Sequence, residues 1–168
     1  MAVLILMVGI PGSGKSTFLK TWNQPNTKII SRDEIRYRYI TNKEEYFSKE
    51  NMVFGIFVEE INNALKSGKY NFVIADATHV SKASRAKILK KIEKKYCNEV
   101  WAIVMKTPVM KCQENNQKRV GLEYVPPAVI GRMSSYFSIP RVEEGFTKIE
   151  VINWNDNDEN DEKYGGDF

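Results

Sequence analysis

The chain opens with seven consecutive apolar residues, AVLILMV at 2–8. An unbroken run of that length is the pattern of a parallel strand buried on both faces. KSTFLKTW (15–22) follows a glycine-rich turn and predicts a helix, so the first unit reads strand, loop, helix. TKIIS (27–31) predicts a second strand, and Ser31 with Glu34 forms the S-x-x-E signature of a helix start. From about 43 to 66, Phe47, Phe54, Phe57, Val58, Ile61 and Leu65 recur at helical spacing, and Gly68 marks the end. YNFVIAD (70–76) predicts a third strand, and SKASRAKILKKIEKKY (81–96) an amphipathic helix. EVWAIVM (99–105) predicts a fourth strand, PVMKCQENNQKR (108–119) a helix and VGLEY (120–124) a loop. PPAVIGRMSSYF (126–137) predicts a helix with proline in its first turn, and KIEVIN (148–153) a fifth strand. Strands alternating with helices imply an α/β fold, a five-stranded parallel sheet with helices on both faces.

Composition narrows the setting. A chain of 168 residues supports one domain with a full core. Its longest apolar run is too short to cross a bilayer, and its N-terminus lacks the basic flank of a signal peptide, so no membrane partner and a cytoplasmic location, in a bacterial or phage-infected cell, are expected. Cys97, Cys112 and the single histidine, His79, make no metal-type or disulfide spacing. Charge is unevenly placed. Residues 153–168 hold six acids and one lysine, net −5, which leaves +9 on residues 1–152 against +4 overall. A basic body suits a polyanionic partner such as nucleic acid, although lysine-rich runs are also the ordinary wet face of a helix. The acidic segment has too few apolar residues to offset its ordering entropy, so 153–168 is expected to be a disordered tail behind a domain of 1–152.

GIPGSGKST (9–17) satisfies G-x-x-x-x-G-K-[ST] and lies between a predicted buried strand and a helix start, the context this phosphate-binding loop requires. Backbone N–H groups at Gly12, Ser13, Gly14 and Lys15 are placed to meet phosphate oxygens, and the helix start adds its positive end. Lys15 is expected to neutralise the β- and γ-phosphates of ATP, Ser16 to offer its hydroxyl to Mg²⁺, and Thr17 to complete the donor site. The ordinary alternative is a glycine-rich turn with a chance lysine. A loop of this kind leaves kinase, GTPase, motor and inert nucleotide binder open. The small size and the absence of an N-K-x-D guanine signature favour a small kinase.

The acceptor side is read from ISRDEIR (30–36). Asp33 and Arg36 lie three apart in the first turns of a helix, at the end of a strand facing the phosphates. Asp33 can accept a proton from an attacking hydroxyl, and acids in a first helical turn also simply complement the dipole. IADATHV ends the third strand: Asp76 can hold Mg²⁺ through water and Thr78 can donate a hydrogen bond nearby, or Asp76 caps the next helix. His79, without an evident partner, is structural or a neighbour of the substrate. Arg119 can close over the triphosphate from a helical lid, or it is a cation favoured by a helix C-terminus.

Four blocks in order, GIPGSGKST, SRDEIR (R-D-x-x-R), DATH (D-x-T-N) and NQKRVGLEYVPPAVIGRM (N-x-x-R, then V-P and a helix), resemble the 5′-polynucleotide kinase family over most of residues 1–150. The resemblance implies a P-loop kinase fold with a helical lid, using ATP and Mg²⁺ to phosphorylate the 5′-hydroxyl ends of DNA or RNA in nucleic-acid repair. By that resemblance Asp33 is the general base, Arg36 grips the phosphate on the acceptor's 3′ side, Lys15 and Ser16 hold the donor phosphates, and Arg119 is the lid arginine. Three positions depart from the pattern. Asn115 stands where a second lid arginine occurs, His79 replaces the usual asparagine, and the chain contains no D-x-D-G-T phosphatase signature, which points to a separate ligase or phosphatase as partner. Two other readings stay open: a kinase of a small-molecule or tRNA-linked hydroxyl (seryl-tRNA, sugar or antibiotic), and a nucleotide-gated binding protein with vestigial chemistry, supported by Asn115.

Overall fold

A computed structural model describes residues 1–154. Five strands form one parallel sheet: β1 (Ala2–Val8), β2 (Thr27–Ser31), β3 (Phe72–Asp76), β4 (Cys97–Lys106) and β5 (Lys148–Asn153). Their order is β2-β3-β1-β4-β5. Six helices connect or cover them: α1 (Lys15–Thr21), α2 (Arg32–Tyr39), α3 (Glu45–Lys66), α4 (Lys82–Leu89), α5 (Val109–Gln117) and α6 (Pro127–Tyr136). Central β1 explains its own apolar run. Leu4, Leu6 and Val8 face one side and pack with Ile35, Val53, Phe57, Ile61 and Ile88 of α2, α3 and α4. Ile5 and Met7 face the other side and pack with Phe18 and Leu19 of α1. A smaller cluster of Ile10, Val80, Cys112 and Ile130 joins α5 and α6 to the loops at the strands' carboxyl ends. No helix among the described residues is long and apolar enough to cross a membrane.

Several boundaries differ from expectation for identifiable reasons. The helix expected over 81–96 ends at Leu89. Asn62 of α3 intervenes: its Nδ2 donates to the Lys91 carbonyl at 3.0 Å and its Oδ1 accepts from the Glu93 N–H at 2.9 Å. These bonds capture the backbone that a longer helix would use, and a short 3-10 turn, Lys94–Tyr96, leads into β4 instead. Only half of the expected capping box at Ser31 is present, its Oγ accepting from the Glu34 N–H at 3.3 Å. A reciprocal box forms at Ser81 and Ser84. Phe47, counted among the apolar stripe of α3, is 87% exposed and belongs to no core cluster. At the far end Asn153 lies in β5, and the Trp154 N–H donates to the Lys106 carbonyl at 3.1 Å. The expected disordered tail lies, from residue 155 onward, outside the described residues.

One buried ion pair fastens the loops beneath the sheet's carboxyl edge. Arg85 of α4 is fully buried and bonds Glu144 through Nε (2.7 Å) and Nη2 (3.0 Å). It also donates to the His79 carbonyl (3.0 Å), the Ser138 carbonyl (2.9 Å) and the Ser138 hydroxyl (3.0 Å). Burial pushes the Glu144 carboxyl up, but Arg85's hydrogen bonds and charge outweigh it and hold that carboxyl below its ordinary value. Removing one partner leaves the other charge stranded, which costs about 3–5 kcal/mol for a buried pair. Arg85→Met is therefore expected to lower the unfolding free energy measured in urea by about that amount, while surface Lys90→Met leaves it unchanged. The pH dependence has a definite sign. The stabilisation is complete above the ordinary carboxylate range and disappears as pH falls through Glu144's lowered value, so the two variants' stabilities converge in acid.

Candidate active site

The loop between β1 and α1 turns at two glycines with positive φ, Gly12 (82°) and Gly14 (96°), a conformation that side chains with a Cβ resist. Gly12 carries a second requirement. A Cβ there would meet the Cys112 carbonyl oxygen of α5 at 2.3 Å, so the loop lies directly against that helix's backbone. Asn115, one turn further along α5, donates from Nδ2 to the Gly12 carbonyl at 2.9 Å. The residue in place of a second lid arginine thus ties α5 to the loop. Thr107 at the end of β4 donates its hydroxyl to the Ser13 carbonyl at 2.7 Å.

Ser13 turns inward. Its N–H closes a turn on the Ile10 carbonyl at 3.1 Å and its hydroxyl is buried against Gly9 inside the loop. The inward turn follows from the tight curl between Gly9 and Gly12. Ser16 and Thr17 are exposed. Lys15 Nζ donates to the Gly9 and Ile10 carbonyls at 2.8 and 3.2 Å. Burial pulls this amine below the ordinary lysine value, while the charges of Asp76 and Asp33 oppose that pull and Arg119 adds to it. Lys15, Asp33, Asp76 and Arg119, scattered over a hundred residues of sequence, therefore share one electrostatic neighbourhood. Burial raises the Asp76 carboxyl, Lys15 counteracts it, and Asp33 and Glu34 add to the rise. Among the described residues no group of three or more His, Cys, Asp or Glu could hold a metal alone. A Mg²⁺ would fit only as Mg²⁺ commonly binds beside a nucleotide, through Ser16, Asp76 and the donor's own phosphates.

On the acceptor side, Asp33 is 65% exposed by side chain and Arg36 is 6%. Arg36 Nη1 donates to Asp33 Oδ1, while Nε and Nη2 grip Glu50 of α3 at 3.1–3.2 Å. Arg32 also pairs with Glu50, and the Arg36 guanidinium lies 4.4 Å from the centre of the Tyr46 ring. Tyr37 stands close by, its hydroxyl pushed up to about 12 by burial first and then by Asp33 and Glu123. Glu50 and Tyr46 escaped sequence reasoning because their partners are fixed by the α2–α3 packing, not by local spacing, and Tyr37 because Glu123 and Arg119 reach it from a distant loop.

Thr78 contributes its carbonyl, which accepts from the Gly9 N–H at 2.9 Å. His79 proves structural: it is buried, its backbone has a positive φ of 43°, its Nδ1 bonds the Met7 carbonyl at 2.8 Å, and its ring stacks on Phe57. Burial lowers its pKa to about 4, so the imidazole is neutral, with the proton on Nδ1. Arg119 lies just beyond α5, which ends at Gln117, so it sits in the loop rather than at a helix C-terminus. That loop is closed by buried Asn116, whose side chain accepts from the Val125 N–H (2.9 Å) and donates to the Val125 carbonyl (2.5 Å). The N-x-x-R block and the later V-P are thus one unit, in which the asparagine shapes the loop that carries the arginine.

Gly12→Ala tests the loop's dependence on α5. Backbone strain and overpacking are expected to cost about 1–3 kcal/mol in urea unfolding. Titration with a fluorescent ATP analogue should show binding weakened at least as strongly as stability; unchanged affinity would contradict the close approach.

A protein-family model described as "AAA domain" matches residues 4–140. The chain is 28% identical over 152 residues to "Transcription factor bHLH140" of Arabidopsis thaliana, covering 88% of this chain and 15% of that protein. It is 29% identical over 155 residues to a "Putative bifunctional polynucleotide phosphatase/kinase" of Acanthamoeba polyphaga mimivirus, covering 89% of this chain and 32% of that protein. The chain therefore spans a third or less of these relatives. Among solved structures, a fungal RNA kinase superposes with TM-score 0.63 at 15% identity, over 93% of this chain and 76% of that one. The Pnkp1/Rnl/Hen1 RNA repair complex gives 0.64 at 23%, over 80% and 43%, and a sugar kinase from Janibacter gives 0.59 at 15%, over 91% and 85%. With its phosphate-binding loop and kinase-like sheet, the chain belongs to the AAA-domain family of P-loop proteins and has a kinase fold.

Proposed function

We propose that this chain is an ATP-dependent polynucleotide 5′-hydroxyl kinase acting on the ends of DNA or RNA in nucleic-acid repair. The observation that carries the reading is the pairing of exposed Asp33 with buried Arg36 within electrostatic reach of Lys15 and Arg119. A carboxylate open to solvent on one side and held by a fixed guanidinium on the other suits proton acceptance beside an anionic acceptor. The basic body, at +9 over residues 1–152, supports a polyanionic substrate. The names of the mimivirus relative and of the fungal and Pnkp1 structures support the same class of acceptor. The Janibacter sugar kinase shares the fold alone, and a sugar would give Arg36 no phosphate to meet.

Phosphoryl transfer asks the protein mainly for position and charge. Lys15 moves from its own loop's carbonyls to the donor's β- and γ-phosphates, whose negative charge opposes the lowering that burial imposes on its amine. Bound Mg²⁺ would supply further charge neutralisation, held by Ser16 and Asp76. Arg36 orients the acceptor through the phosphate on its 3′ side. Asp33 takes the proton of the 5′-hydroxyl as that oxygen bonds to the γ-phosphorus, and the bond from γ-phosphorus to the bridging oxygen breaks to release ADP. Arg119 balances charge spreading over the transferred group. A 5′-phosphate is what a ligase consumes, so separate ligase or phosphatase proteins fit as partners.

The test is transfer of labelled γ-phosphate from ATP to a short 5′-hydroxyl oligonucleotide. Wild type is expected to label it, a 5′-phosphorylated control to stay unlabelled, and Asp33→Ala to lose roughly 100-fold or more in kcat, the range of general-base catalysis. Full activity in Asp33→Ala would remove the assigned base.

A further inference from the structure

The corner between α2 and α3 holds an aromatic ring that neither the core nor the reacting constellation uses. Phe47, in the first turn of α3, is 87% exposed. Single exposed apolar residues are ordinary, but this one continues a connected series. Its ring meets that of Tyr46 with centroids 5.7 Å apart at 66°. Tyr46 in turn lies beneath the guanidinium of Arg36, which bonds Asp33. An unbroken path of contacts thus leads from the assigned base, through the arginine assigned to the acceptor's phosphate, to an open aromatic face. Across from this corner, a groove of about 590 Å³ is lined by Thr41, Asn42, Lys43, Arg119 and Tyr124, with Lys43 Nζ 5.2 Å from the centre of the Tyr124 ring. Lys43, whose carbonyl accepts from the Tyr46 N–H at 3.2 Å, joins the corner to this shallow, open cleft with its two cations and one aromatic ring.

We propose that the Tyr46–Phe47 step is a stacking platform for the base of the acceptor strand's second nucleotide. The proposal rests on the polynucleotide reading above and deepens it by naming what lies beyond the terminal nucleoside. Once Arg36 holds the phosphate on the 3′ side of that nucleoside, the next nucleotide continues from that phosphate, toward the ring on which Arg36 itself rests. Aromatic faces bind bases without regard to sequence, each stacked base contributing on the order of 1–3 kcal/mol. Such a platform selects acceptors of two or more nucleotides without selecting their sequence. It also accounts for an apolar ring at the start of α3 that misses the core its neighbours fill.

The experiment compares wild type, Phe47→Ala and Phe47→Trp on two acceptors: a nucleoside 3′-monophosphate and a 5′-hydroxyl pentanucleotide. Phe47→Ala is expected to raise KM for the pentanucleotide by roughly 5- to 150-fold, the stacking energy expressed as a ratio, with kcat within about twofold. KM for the mononucleotide should move less than about twofold, and Phe47→Trp should keep the low KM for the pentanucleotide. Equal effects on both acceptors, or none on either, would overturn the platform while leaving the kinase reading intact. A wild type that labels neither acceptor would overturn both. Sedimentation of wild type and Phe47→Ala supplies the remaining outcome: a dimer lost in the variant would assign Phe47 to a contact between copies of the chain and overturn the platform.

Discussion

The site depends on one close approach, that of Gly12 to the backbone of α5. A methyl group at Gly12 would sit 2.3 Å from the Cys112 carbonyl oxygen, so the loop and the helix occupy their positions only because the side chain is missing. The contact sets both sides of the donor site at once. It fixes the curl of the loop, and through α5 it fixes Asn115, buried Asn116 and the loop carrying Arg119. Neighbouring bonds knit the rest of the sheet's carboxyl edge to the same point. Thr107 reaches the Ser13 carbonyl, Gly9 reaches the Thr78 carbonyl, and His79 holds the Met7 carbonyl. Residues from β1, β3 and β4 are thereby locked to one loop before any ligand arrives, which is the preorganisation that phosphoryl transfer rewards.

The acceptor side follows a different principle. Arg32 and Arg36 face Asp33 and Glu50, two positive charges against two negative. Glu50 is the anchor, since it holds both guanidinium groups from α3 while Asp33 reaches Arg36 from the solvent side. Arg36, nearly buried and stacked on Tyr46, has little freedom left, so its direction is set by packing as much as by charge. Asp33 is the member of the quartet with open access, which is what a group that must meet a substrate hydroxyl requires.

The architecture was legible because parallel strands buried on both faces write continuous apolar runs, as central β1 did, while the edge strands β2 and β5 were marked by shorter apolar stretches in the strand-helix alternation. The donor loop was legible because its chemistry is local: glycines, lysine and hydroxyl residues act within nine positions. Asp33 and Arg36 could be picked out by their place after β2. What escaped depends on distant contacts. The early end of α4 is imposed by Asn62, about thirty residues away. Glu50 and Asn116 are polar residues within helices, and nothing in their neighbourhood says that each is held against a partner element. Phe47 misled in the opposite direction, since it keeps helical spacing with the core residues of α3 yet points away from them.

The claim on which the account turns is that the acceptor is a polynucleotide end. A single competition decides it: labelled ATP and Mg²⁺ with an equimolar mixture of a 5′-hydroxyl oligonucleotide, a transfer RNA carrying serine, a hexose and an aminoglycoside, the products resolved by charge and size. The account predicts label on the oligonucleotide, recovered as a 5′-monophosphate of its first nucleotide after nuclease digestion. Label on the sugar, the antibiotic or the aminoacyl group, with the oligonucleotide unlabelled, would contradict it.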